Sequence, residues 1–176
     1  MKSNREQLAI DATAIDAGDG TSMNRVTDFC RARTRRKIVA IKGAPGFARP
    51  VIERAGSRTR TGARLWIVGV DTVKQQIFAR FPRPASVRFS ASLPAVWYEQ
   101  ATSERAQLRY MRGQPIRQFI RIPGRRAEAL DCTVYAVAVR NLINIVPEVR
   151  GGELAQPEPV KAAARPVLRS EWMARR

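Results

Sequence analysis

The chain has 176 residues, enough for one ordinary domain with a core, and its 44% apolar and 27% charged residues are the mixture of a globular protein. Its charge is unusual: 32 Lys and Arg against 15 Asp and Glu give +17, which predicts attraction to polyanions, nucleic acid first, with a general bias toward arginine as the bland alternative. With no histidine, a Ser-His-Asp triad, a Cys-His pair and His-ligated zinc are excluded.

Residues 1–8 are polar and read as a frayed terminus. They lack the apolar centre of a signal peptide, and no apolar run in the chain reaches membrane-spanning length. A soluble cytoplasmic protein with no membrane partner is expected. Small and β-branched residues over Ala9–Asp16 predict a buried strand that ends at the glycine turn GDGTS. Thr21 or Ser22 is a candidate N-cap for a helix to about Arg33, its buried face carrying Met23, Val26 and Phe29 or Cys30. KIVAIKG (Lys37–Gly43) predicts a second, parallel strand, completing a βαβ unit. From Ala44 to Ala63 the Gly, Pro, Ser, Thr and Arg content reads as a long basic loop.

ARLWIVGV predicts a strand, Asp71 an N-cap, and TVKQQIFARF a helix with Lys74 solvated. SVRFS is expected to be a short strand and PAVWYEQATSE a helix. AQLRYMR and IRQFIRI, joined across Gly113–Pro115, predict an antiparallel hairpin. A helix over Ala127–Asn144 follows, with Leu130, Val134, Val137, Ala138 and Leu142 on one side. The expected domain runs over 9–146. The tail, 147–176, is rich in Pro, Ala and Glu and reads as disordered, with a short helix near Leu168–Met173. Cys30 and Cys132 have no CxxC spacing and read as buried free thiols.

Three segments bear on chemistry. AIDAGDGTS puts Asp16 at the carboxyl end of a strand, the position that faces the ligand crevice in open α/β sheets. It is either a ligand for a hard cation, a turn-former bonded to its own loop, or part of an anion-cradling glycine loop, which the acids Asp16 and Asp19 oppose. GRRAEALD puts Glu128 and Asp131 in the first turn of a largely apolar helix. The dipole accounts for Glu128; Asp131 calls for a cation or an arginine partner, with Arg125 and Arg126 in reach. In VGVDTVK, Asp71 is most simply a cap. GAPGFARP lacks the lysine and spacing of a P-loop. Between Cys30 and Tyr98 stand fifteen basic residues and only two acids, Glu53 and Asp71, a segment that phosphate would neutralise.

Taken in order, AIDAGDGTSMNRVTDFC, VAIKGAPGFARPV, LWIVGVDTVKQQIFARF, the TSER…RY segment and GRRAEALDCTVYAVAV resemble the C-terminal nuclease domain of the phage terminase large subunit, GpA type. The resemblance runs from about Ala9 to Leu142. It implies an α/β, RNase H-like nuclease fold with a mixed sheet and flanking helices, incomplete because the first strands are missing. It also implies a two-metal endonuclease, using Mg²⁺ or Mn²⁺, that cuts concatemeric double-stranded viral DNA during packaging in the bacterial cytoplasm, with the small terminase subunit and portal protein as partners. Of three family acids, Asp16 and Asp131 match the second and third as catalytic metal ligands. The first lies on a strand expected upstream, and no ATPase domain is recognised. Asp19 stands where the family's second glycine is usual, and Ala127 where asparagine often precedes the Glu-Ala-Leu-Asp run. Lys42, Arg49, Arg58, Arg60, Arg125 and Arg126 are the candidate DNA-backbone contacts. With one acid missing, reduced or lost activity is expected. The alternatives are a non-catalytic basic DNA-binding or packaging module, and a decayed reading frame with no stable fold.

Overall fold

The structure, a computed structural model, describes residues 10–59, 62–84, 86–111 and 113–144. The Pro-rich tail, with the short helix expected in it, and Arg60 lie outside the described residues. Strand β1 (Thr13–Asp16), helix α1 (Met23–Arg31) and strand β2 (Ile38–Ala44) form the expected parallel βαβ unit. A single 3-10 turn, Thr34–Arg36, reverses the chain before β2 with Lys37 in the left-handed region at φ 52°. Strand β3 (Ile52–Arg54) lies inside the stretch expected to be loop and pairs antiparallel with β4 (Leu65–Gly69), which runs parallel to β2. The result is a mixed sheet in the order β1-β2-β4-β3.

The two faces of this sheet are separated by side-chain alternation. On one face Ala17, Ala40 and Leu65 pack with Cys30, Met23 and Val26 of α1, as the helical spacing predicts. On the other face Val39, Ile41 and Val68 meet α2 (Val70–Arg80) and α4 (Glu128–Arg140) through Val73, Ile77, Leu130, Val134 and Ala138. Ala12 and Ala14 belong to this second face, so alternation puts the Asp16 side chain on it as well. The floor of any site at Asp16 is therefore the start of α4.

Helix α3 (Ala95–Ala101) leads into β5 (Glu104–Met111) and β6 (Gln114–Arg121), which form a separate two-stranded ribbon turned at Gly113, φ 76°. Phe119 anchors the ribbon, stacked between Phe47 at 5.6 Å and Phe78 at 5.4 Å.

Several expectations are corrected. SVRFS forms no strand: Phe89 instead turns into an aromatic cluster, 4.8 Å from the Trp97 ring. Ser22 occupies the N-cap position of α1 but makes no side-chain cap bond, and the Thr21 N–H goes to Asp19 Oδ1 at 3.0 Å. Cys132 is exposed, while Cys30 is buried and its thiol is pushed up by desolvation. Helix α4 stops at Arg140 because the Asn141 amide side chain turns back onto the Val137 and Ala138 carbonyls.

Candidate active site

Asp16 ends β1 where the sheet gives way to the glycine turn. Its Oδ1 accepts the Gly18 N–H at 2.8 Å, so one oxygen holds the turn. A Cβ at Gly18 would stand 3.0 Å from that same oxygen, so a larger residue there would crowd the bond. The other oxygen, Oδ2, accepts a long 3.4 Å bond from the Tyr135 hydroxyl, 119 residues away in the chain. Tyr135 lies one helical turn beyond Asp131 on α4, so the two project on the same side. It reaches Asp16 across the end of β2, past Gly43, where a Cβ would stand 3.0 Å from the Tyr135 hydroxyl.

Asp131 and Asp16 therefore open into one cleft of about 680 Å³ beside β1, walled also by Ala14, Tyr135 and Val139. Glu128 and Asp11 line it too, with Arg140 beside them, giving it a mostly acidic rim. Asp131 is half-buried, and an arginine partner is present: Arg121 Nη2 at the end of β6 approaches Asp131 Oδ2 at 4.0 Å. That partner is neither Arg125, whose Nη1 donates to the Thr102 carbonyl at 3.4 Å, nor Arg126, which is exposed.

Electrostatics separates the two groups. Burial raises the Asp131 pKa above the ordinary carboxylate value; Lys74 and Arg121 oppose that, while Glu104 and Asp16 add to it. Burial, then the charges of Asp16 and Asp131, pushes the Tyr135 phenol up to about 12. At neutral pH Tyr135 is thus a donor and never a base. Asp19, by contrast, is fully exposed, and the backbone N–H of Thr21 holds its carboxyl below the usual range. It serves the turn.

Asp71 is not a cap. It lies inside α2, buried, and its Oδ2 accepts the Gly46 N–H at 2.6 Å from a loop 25 residues upstream. Thr72 beside it donates to the Phe47 and Arg49 carbonyls of that same loop. Lys74, expected to be solvated, is buried against Glu104, Nζ to Oε2 2.7 Å, and this pair fastens the foot of the ribbon to α2.

The remaining basic candidates are dispersed. Lys42 is exposed on β2, one residue out of phase with Ile41 and so on the α1 face, opposite to Asp16. The Arg49 guanidinium is engaged by the Pro45 carbonyl at 2.9 Å and by Glu53 at 3.7 Å. Arg58 lies at the amino end of the sheet. Sequence reasoning missed Arg121 and Tyr135. The first had no local signal; the second is marked by its spacing of four from Asp131.

The donor set consists of carboxylate oxygens, the chemistry of a hard divalent cation, which takes one or two carboxylates and completes its shell with water or phosphate. Asp16 and Asp131 bring donors of that kind to one cleft. Among the described residues no group of three or more His, Cys, Asp or Glu side chains could hold a metal ion.

Residues 1–150 match the family described as the terminase large subunit gpA, endonuclease domain. The chain belongs to that family. Among curated members, the large terminase subunit of Escherichia phage lambda is 29% identical over 147 residues, covering 77% of this chain and 22% of that protein. The large terminase subunit of Enterobacteria phage P21 is 31% identical over 114 residues, covering 58% of this chain and 18% of that protein. The chain thus spans under a quarter of either gpA relative. No solved structure matches it. No helix among the described residues of this gpA endonuclease domain is long and apolar enough to cross a membrane.

Proposed function

We propose that this domain is an RNase H-like, divalent-metal-dependent DNA endonuclease that cuts concatemeric viral DNA during packaging. In this reading it acts in the host cytoplasm beside a small terminase subunit and a portal protein. One observation carries the reading: Asp16 and Asp131, far apart in sequence, open into the same cleft of a domain whose family is defined by nuclease activity. Mg²⁺ or Mn²⁺ held there supplies Lewis acidity at the phosphodiester and a more acidic bound water.

The chain's own residues divide the remaining work. Asp16 and Asp131 hold the ion. Tyr135 donates to Asp16 Oδ2 and, with the Gly18 N–H on Oδ1, orients the carboxylate. Arg121 stands beside Asp131, where its guanidinium can turn to a phosphate oxygen of the bound strand. Its ribbon adds Arg105, Arg109 and Arg117, while its acid, Glu104, is already neutralised by Lys74. The two-cation form of the reaction needs more oxygen donors than this pair of aspartates.

The test is calorimetric titration of Mn²⁺ into the wild type, Asp16→Asn and Asp131→Asn, alongside nicking of supercoiled plasmid. Each variant should weaken Mn²⁺ binding by about tenfold or more and abolish whatever nicking the wild type shows. Nicking that survives Asp131→Asn would sink the site assignment. The missing third ligand among the described residues favours a second reading, a non-catalytic basic DNA-binding module. That module binds DNA with a steep salt dependence and is indifferent to both substitutions.

A further inference from the structure

We propose that the amino-terminal end of the sheet carries a phosphate-binding pocket, separate from the acidic cleft, formed by Arg31, Arg54, Arg58 and Arg64. These residues come from the last position of α1, the last position of β3 and the connection between β3 and β4, and together they line a cavity of about 270 Å³. Among the described residues no Asp or Glu lines it. The buried Cys30, Ala40 and Ala63 give it an apolar wall that does not compete for the guanidinium groups.

All four arginines are exposed, and two local contacts order the site. The Thr59 N–H and hydroxyl both bond the Ala63 carbonyl, at 3.0 and 3.1 Å, closing the loop so that Arg58 and Arg64 flank one turn. The Arg54 guanidinium lies over the Trp66 ring at 5.0 Å, which holds its plane. Arg31 has a local explanation, since a cation complements the carbonyl end of α1. That accounts for one of the four. None of them ends in an ion pair among the described residues. Clustered guanidinium groups repel, and the ligand chemistry that offsets this is an anion with several acceptor oxygens, which phosphate provides in bidentate geometry.

The pocket meets the beginnings of β2 and β4, at Ile38 and Leu65's neighbours Arg64 and Trp66, whereas Asp16 ends β1 in the same parallel set. A phosphate held there is therefore not the one at the acidic cleft, and the proposal stands whether or not the domain cuts DNA. Two sources share the chemistry: a backbone phosphodiester of DNA, or a free phosphate or nucleotide.

The experiment uses the full chain in EDTA. Anisotropy of a labelled DNA duplex is followed across KCl concentration, and calorimetry follows inorganic phosphate and ADP. Arg54→Ala/Arg58→Ala is compared with Arg80→Ala/Arg83→Ala, which removes the same charge elsewhere, with circular dichroism as a check on folding. A DNA source predicts that the pocket variant alone loses about tenfold in duplex affinity and flattens the log–log salt slope by about 2. A free-phosphate source predicts binding heat with phosphate or ADP in the wild type that disappears in the pocket variant, with duplex affinity matching the comparator. Equal duplex affinity in the two variants, together with no phosphate or ADP heat in the wild type, overturns the proposal. If the pocket variant unfolds, Arg58→Gln at an exposed loop position gives the same readouts, with about half the slope change.

Discussion

Helices α2 and α4 each carry an aspartate in the first turn and pack on the same face of the sheet, yet the two carboxylates do opposite things. Asp71 is 8% exposed and its Oδ2 takes the Gly46 N–H, so its charge holds a loop. Asp131 keeps 44% of its side chain open, pairs with a guanidinium no closer than 4.0 Å among the described residues, and faces a cleft it shares with Asp16. A buried carboxylate with a short hydrogen bond is part of the scaffold. A half-buried one with raised pKa and free lone pairs is available for a ligand.

Five substitutions break or sharpen that contrast. The largest effect belongs to Lys74, one turn after Asp71: Lys74→Met leaves the Glu104 charge buried and unpaired, which should cost about 3–5 kcal/mol in thermal or urea unfolding. Adding Glu104→Leu should recover most of it; no recovery would mean that the pair is not what fastens the ribbon. Next, Asp71→Ala orphans the Gly46 N–H and should lose about 1–3 kcal/mol, leaving Mn²⁺ binding as it was. An Asp71→Ala protein that folds normally but no longer binds Mn²⁺ would reverse the roles assigned to the two helices.

Asp131→Asn should do the opposite, changing unfolding by no more than about 0.5 kcal/mol while weakening the cation. Its pH signature has a definite sign. Because the folded pKa lies above the ordinary carboxylate value, the native state binds the proton more tightly than the unfolded chain does. The stability this group contributes is present at acid pH below the unfolded value and is lost as pH rises through the folded one. Asp131→Asn should remove that part of the decline, and an unchanged profile would refute the assignment. The smallest effect is spectroscopic: the difference in alkaline absorbance titration between wild type and Tyr135→Phe should show a phenol ionising at about 12.

Much of this frame was readable from residue pattern. Strands β2 and β4 are apolar runs bounded by Gly and Arg, and α4 repeats its apolar residues at helical spacing, so burial alone dictates them. The place of Asp16 at the end of β1 was legible because a carboxylate followed by glycines marks the turn that ends a strand. Strand β3 was hidden because three residues between Pro50 and Gly56 form a strand only by borrowing hydrogen bonds from β4. SVRFS misled for the converse reason: it alternates, but its Phe89 found aromatic rings instead of a partner strand. Asp71 and Lys74 were misread because their partners lie 25 and 30 residues away, and local capping rules cannot see a loop or ribbon folded onto a helix.

The bare backbone at Gly43 also ties two distant positions into one unit. The space a methyl group would fill there is already claimed by the phenolic tip of Tyr135 and by Val70 Cγ1, each 3.0 Å from the missing atom. Residues 43 and 135 thus draw on a single volume allowance. A larger residue at the first demands a shorter one at the second, and a double-mutant cycle across them should show strong coupling. Drift at this end of β2 is constrained through the geometry of a carboxylate on the neighbouring strand.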